Sequence, residues 1–385
     1  MAEDDTGAAR PGRGGAKGKR RRAGAGAARA GGGNPGSGKP GGGRKGGPRA
    51  VAEAAADTSA QGKGGGAKGA GGKRAGAAGK AGAGGKKPPV KVWRIHLGAH
   101  KTATTHLQQA LVAARPGLRT QGVDFIPLRK LREAGLPAIL SQLIDAEADR
   151  PGRRRALAGA LRPLRGKAET VAFSEENLIG LSAHLLRGPN PYPGAGKMVR
   201  WLGQLGAGGA EVKLFFAIRS FDALAPSAYA ESMRRRHLPG GFDAVRKLMA
   251  ETPPSWVGLI DRLRKAAPKA ELRVWLYEDY AAHARELATL FLGVDPGELD
   301  VSRRPQGTAT PSAAAVAEAE ALPRGLSKED RAARSAEIYA RLPASGPETK
   351  FNPFTDEERA RLRARYAQDL DEIERRHPGV LVRFA

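Results

Sequence analysis

The sequence of 385 residues contains no cysteine. That excludes disulfides, a thiolate nucleophile and thiolate metal ligands, and it suits a reducing compartment. Apolar residues are scarce, at 40%, and nowhere form a run near the roughly 20 residues that span a bilayer. The leading segment also lacks the apolar middle portion of a secretory signal. A cytoplasmic protein without a transmembrane segment is expected. From Met1 to about Pro89 there is hardly a large apolar side chain, and such a composition cannot form a core. Residues 1–89 are therefore expected to be a disordered Gly/Ala/Lys/Arg-rich tail.

What the chain has in abundance is glycine and positive charge: 53 glycines, unevenly placed, and a net charge of +26. The tail carries 19 Lys and Arg against 5 Asp and Glu, which is +14 of that total. Runs such as Lys17-Gly-Lys-Arg-Arg-Arg22 offer nonspecific contact to a polyanion through counterion release. A solvated, charge-extended leader without a dedicated ligand is the other reading.

The pattern changes after Pro88-Pro89. Val90–Leu97 alternates apolar and polar residues and is rich in β-branched types, which predicts a strand. A helix follows from Ala103, with Leu107, Ala110, Leu111 and Ala114 as its apolar stripe and an end near Arg115-Pro116-Gly117. Further strands are expected at Val123–Ile126, Thr170–Ser174, Glu211–Arg219 and Leu272–Tyr277, separated by segments of helical character. That order predicts an α/β fold with a mostly parallel sheet covered on both faces. The near-continuous apolar run Val212–Ile218 reads as a central strand. Arg303–Ser312 reads as a linker, and residues 303–385, with helices over Lys328–Leu342 and about Asp356–His377, as a helical cap packing on the domain of residues 90–302. There is no internal repeat.

The first strand leads into Gly98-Ala99-His100-Lys101-Thr102-Ala103-Thr104-Thr105. Ligands of open α/β sheets collect at the carboxyl ends of the strands. Here a helix start presents unpaired backbone N–H groups, with Lys101 to counter negative charge and three threonine hydroxyls as further donors. The turn is an anion cradle. It is not the common NTPase loop, whose lysine follows a second glycine.

The segment Lys101-Thr102-Ala103-Thr104-Thr105 resembles the donor loop Lys-[Ser/Thr]-Gly-Thr-Thr of the sulfotransferases that use 3′-phosphoadenosine 5′-phosphosulfate. It departs at Ala103, where that family usually has glycine. A second element of the family is an arginine ending a later strand, with a serine eight residues on, together holding the donor's 3′-phosphate. Arg219 and Ser227 stand at that spacing. The resemblance implies a P-loop-like three-layer α/β/α fold and sulfuryl transfer to a hydroxyl or amine of a glycan, lipid or small-molecule acceptor, with no metal. It implies donor binding by Lys101, Thr102, Ala103, Thr104, Thr105, Arg219 and Ser227, and the position of Gly98 and His100 in the same turn adds them to the expected donor contacts. Lys101 would neutralise charge on the leaving phosphate.

The family's base is a histidine or glutamate near the end of a strand such as Thr170–Ser174, which here runs into Glu175-Glu176-Asn177. Glu176 is favoured over Glu175. The alternative is that both simply begin the next helix. His96, His100 and His106 are competing proton acceptors; His96 reads as a strand side chain and His100 as a phosphate contact. Met233-Arg-Arg-Arg-His237 reads either as a wall of the acceptor cleft or as a solvated helix end. Trp201, Trp256 and Tyr280 read as core. The family's late Arg-Lys-Gly segment has no counterpart after Ser302. Two other functions fit parts of the sequence: a P-loop nucleotide kinase, and a nucleic-acid-binding protein acting through its tail.

Overall fold

The computed structural model describes residues 87–136, 138–139, 150–299 and 311–384. The expected tail up to Lys86 and most of the expected linker lie outside the described residues. Five strands form one sheet: β1 (Val92–His96), β2 (Val123–Ile126), β3 (Thr170–Ser174), β4 (Glu211–Ile218) and β5 (Glu271–Leu276). Their order is β2-β3-β1-β4-β5, and every neighbouring pair is parallel. The parallel sheet expected from the sequence is present. β1 lies at the centre, between β3 and β4, where the strand order reverses; crevices outside the carboxyl ends of strands open at such a point.

The strand period of two sorts side chains onto two faces. In β4, Leu214, Phe216 and Ile218 enter the larger apolar cluster, while Phe215 and Ala217 enter a second one on the other face. The second cluster is closed by helix α1 (Thr104–Thr120), through Leu107, Leu111 and Leu118, and by α8 (Ala284–Leu292), through Leu287 and Phe291. α1 runs through Pro116, past the expected stop. Proline there removes the bond to the carbonyl of Val112. The Val112 side chain is exposed, so the interrupted bond falls on the solvent side of the helix.

Between β2 and β3 stand α2 (Leu128–Glu133) and α3 (Arg150–Leu161). The larger cluster packs against α4 (Ala195–Gly203), α5 (Phe221–Met233), α6 (Gly241–Glu251) and α7 (Trp256–Ala266). The C-terminal helices α9 (Ala313–Ala321), α10 (Lys328–Arg341) and α11 (Asp356–Arg376) contribute to that same cluster. Two polar anchors dock α11 on the sheet domain: Asp369 accepts from the Trp256 amide at 2.7 Å and from Ser255 Oγ at 2.9 Å, and Arg363 pairs with buried Asp222 at 2.7 Å. Val380 and Val382 bond Val274 of the edge strand β5, which covers its open side. No described helix is long and apolar enough to cross a membrane.

Candidate anion-binding and acceptor site

The turn after β1 continues the ladder with β4: Ala99 N–H donates to Ala217 O at 3.1 Å and Ala217 N–H to Gly98 O at 2.6 Å. It then bends sharply, with Gly98 at φ +96°, Lys101 at +63° and Ala103 at +61°. Gly98 is required twice over, because a Cβ on it would sit 2.9 Å from Glu176 Cβ. Ala103 occupies the left-handed region that glycine adopts freely and alanine does not. The departure from the family's glycine therefore falls where the backbone conformation favours glycine.

Inside the turn, Thr102 Oγ1 and Thr104 Oγ1 both donate to Ala99 O, at 2.7 and 3.1 Å. These two buried hydroxyls shape the loop, and of the three donors expected for an anion only exposed Thr105 remains. The amides are a different matter. α1 begins on Ala103, which offers no side-chain cap, so the first-turn amides are left to a ligand or solvent at the positive end of the helix.

The His100 side chain, expected as a phosphate contact, is held on both sides by its neighbours. Asn177 Nδ2 donates to Glu175 Oε1 at 3.1 Å, which turns Asn177 Oδ1 toward His100 Nε2, also at 3.1 Å. That assigns the proton to Nε2. His100 Nδ1 then accepts from Tyr192 OH at 2.9 Å, and the same oxygen accepts the His100 amide at 3.0 Å. Burial pushes the His100 pKa down to about 4, against a smaller opposing effect of Asn177. The imidazole is neutral, engaged at both nitrogens, and braces the loop.

The two glutamates after β3 have separate surroundings. Glu175, fully buried, takes a two-pronged grip from Arg132 of α2, with Nε at 2.7 Å and Nη2 at 2.9 Å, and also accepts from the Asn177 amide at 3.1 Å. It acts as a buried counter-ion. Glu176 faces a cavity of about 190 Å³ that His100, Arg132 and Glu231 also border. Gln108 Nε2 donates to it at 3.1 Å, and Arg132 Nη2 lies 3.5 Å away. Burial, and then the neighbouring Glu175 charge, raise its pKa above the ordinary carboxylate value, opposed by Arg132 and Gln108. A carboxylate raised in this way is a stronger proton acceptor than an ordinary one.

His96 is a core side chain, stacked on Trp275 at 5.0 Å and bonded to Ser174 Oγ at 2.8 Å. His106 bonds Tyr280 OH at 2.8 Å and does not border the cavity. Trp201, Trp256 and Tyr280 are buried. Arg235 and Arg236 border the cavity, so the basic run after α5 is not merely a solvated helix end.

The second expected element meets the first. Arg219 Nη1 donates to Lys101 O at 2.9 Å, and its guanidinium lies over the Tyr277 ring at 4.2 Å. Stacking fixes the plane of the fork and leaves its remaining edges for an anion. Ser227 stands in the second turn of α5. It belongs to a partly exposed stripe, Ala223, Ser227 and Glu231, on an otherwise buried helix. Glu231, one turn on, reaches Lys101 Nζ at 3.6 Å, and residues four apart share a helix face. Ser227 is thus on the side of α5 turned toward the Lys101 loop. Burial would raise the Glu231 pKa, but Lys101 and Arg234 outweigh it and hold the carboxyl below its ordinary range. The C-terminal helix borders the Arg219 end: Glu278 accepts from the Ser220 amide and from Tyr366 OH, both at 3.2 Å.

Sequence reasoning missed Tyr192, Arg132, Gln108, Tyr277 and Glu231. Only Glu231 carried a signal, standing one helical turn beyond Ser227. Among the described residues no group of three His, Asp or Glu is placed to hold a metal ion. No known family model matches the chain, and no curated protein matches it.

Proposed function

We propose that the protein is a sulfotransferase that takes its sulfuryl group from 3′-phosphoadenosine 5′-phosphosulfate, on a P-loop-like version of the parallel α/β fold. The observation that carries this reading is the bond from Arg219 to the Lys101 carbonyl. It joins the Arg219 strand end to the Lys101 turn, which supports a single nucleotide spanning the two anion-binding elements that the family resemblance implies. The residues fit the donor chemically. The uncapped start of α1 and Lys101 suit the 5′-phosphosulfate, and the stacked Arg219 fork, with Ser227 on the facing helix stripe, suits a phosphate monoester.

In the reaction the acceptor oxygen forms a bond to sulfur as the bond from sulfur to the bridging phosphate oxygen breaks, and that oxygen keeps the electron pair. Lys101 and the Thr104 and Thr105 amides offset the charge that develops there. Glu176, in contact with Gly98 beneath the loop, takes the acceptor's proton. Glu231 holds the Lys101 ammonium on the acceptor side. Glu175 and Tyr192 touch neither substrate in this scheme and position the loop, Glu175 through Asn177 and Tyr192 through His100.

The kinase reading shares the fold but needs a magnesium nucleotide. Titrating the full chain with 3′-phosphoadenosine 5′-phosphate and, separately, with ATP and magnesium distinguishes the two. The sulfotransferase reading requires tight binding of the bisphosphate without metal; preference for magnesium ATP would replace it with the kinase reading. Polyanion binding by the basic tail is a separate property, tested by loss of DNA retention on removing residues 1–86.

A further inference from the structure

The cavity beside Glu176 also says what kind of molecule it receives. Ligand sites are usually lined by apolar and aromatic side chains, with a few polar groups for orientation. This one inverts the rule. Of its bordering residues only Leu181 and Ala183 are apolar, and no phenylalanine, tyrosine or tryptophan is among them. The rest of the wall offers hydrogen-bonding groups of both kinds. Arg132, Arg235 and Arg236 bring guanidinium groups, which carry donors and no acceptor, to the wall. Glu231 and Asn177 supply acceptor oxygens. Ser182 and Ser232 add hydroxyls 3.4 Å apart, and Ser232 Oγ, already donating to Ala228 O at 2.8 Å, faces the cavity side as an acceptor.

The volume sets a second limit. About 190 Å³ is below the roughly 300–1,000 Å³ of sites for drug-sized ligands. It holds a single ring or a short chain, or one terminal unit of something larger. An aromatic acceptor placed here would strip water from guanidinium and carboxylate groups without replacing those hydrogen bonds, which is costly. A molecule with several hydroxyls replaces them one for one, each hydroxyl being both donor and acceptor.

We infer that the acceptor is a small polyhydroxylated molecule, a polyol or the terminal unit of a sugar chain, and not a phenol. The inference rests on the sulfotransferase reading of the same site. One hydroxyl of the acceptor faces Glu176 and gives up its proton as its oxygen bonds sulfur, while the others are held by the arginine, serine and asparagine walls.

The test supplies the full chain with 35S-labelled donor and two acceptor sets: methyl glucoside, sorbitol and cellobiose against 4-nitrophenol and 2-naphthol. Binding of 3′-phosphoadenosine 5′-phosphate is measured in parallel. Label is expected in members of the first set and not in the second. Ser182→Leu, which replaces a half-buried wall hydroxyl by an apolar branch, is expected to raise the KM for the reactive polyol about tenfold with donor affinity unchanged. Comparable transfer to the phenols overturns the inference and leaves the sulfotransferase reading standing. So does donor binding without label in any polyol, or a Ser182→Leu variant with unaltered KM. Failure to bind the bisphosphate overturns the reading beneath it.

Discussion

Arg132→Ala tests the network behind the site with a magnitude that the structure sets. Glu175 has no exposure, and the Arg132 fork is its only cation within bonding distance among the described residues. Removing Arg132 leaves a buried carboxylate with only the Asn177 amide and side chain as partners. Breaking a buried pair from one side costs about 3–5 kcal/mol. Because Arg132 keeps 23% of its side chain exposed, the low end, about 3 kcal/mol, is expected. For a domain of this size that lowers Tm by about 6–10 °C. Glu175→Gln added to Arg132→Ala removes the stranded charge while keeping an oxygen for the Asn177 amide, and is expected to restore about 1–2 kcal/mol. Urea unfolding of the full chain followed by tryptophan fluorescence gives all three free energies at constant slope. A loss below about 1 kcal/mol for Arg132→Ala, the size of an exposed pair, would refute the reasoning. So would a double variant no more stable than the single.

Other consequences follow from the same geometry. Glu176→Gln should abolish sulfuryl transfer while leaving bisphosphate affinity intact. Because burial raises the Glu176 pKa in the fold, ionising it weakens the folded state as pH rises through that value, and the variant's gain in stability over wild type should be larger at pH 8 than at pH 5; an equal gain at both contradicts the assignment. Ala103→Gly relieves a left-handed alanine at about 1–2 kcal/mol but adds unfolded-state entropy of about 0.5–1 kcal/mol, for a net gain of about 0.5–1 kcal/mol in urea unfolding; a clear loss would contradict the φ of +61°. Nitrogen NMR should find His100 neutral with its proton on Nε2 down to about pH 5, given a pKa near 4, and Asn177→Leu should disturb that tautomer. A protonated ring at pH 6 would contradict the bracing role.

The parts of the fold governed by local pattern were legible in the sequence. The strands announced themselves through β-branched residues at a period of two, and the tight turn after β1 through a glycine followed by lysine and threonines at a helix start. Pro116 misled, because its effect depends on whether the interrupted bond falls on the solvent side, which is a property of the packed surface. The distinction between Glu175 and Glu176 was out of reach for a similar reason. Adjacent in sequence, they differ through partners far along the chain: Arg132, 43 positions away, grips Glu175 with two bonds, and Gln108 reaches Glu176 at the cavity. The bracing of His100 was hidden because its partners, Asn177 and Tyr192, lie 77 and 92 positions away. Tyr192 itself, buried and at φ +50° between two prolines, has no sequence signal for bracing a loop 92 positions earlier.

The convergence of Lys101 and Arg219 on one nucleotide is tested most directly by comparing 3′-phosphoadenosine 5′-phosphate with AMP, which lacks only the 3′-phosphate, by titration calorimetry on the wild type and on Arg219→Ala. The bisphosphate should bind the wild type about 10- to 100-fold more tightly, the range for charge-assisted hydrogen bonds. In Arg219→Ala that preference should collapse while AMP affinity changes little. Equal affinity of the wild type for the two nucleotides, or a preference that survives the loss of Arg219, would contradict the account.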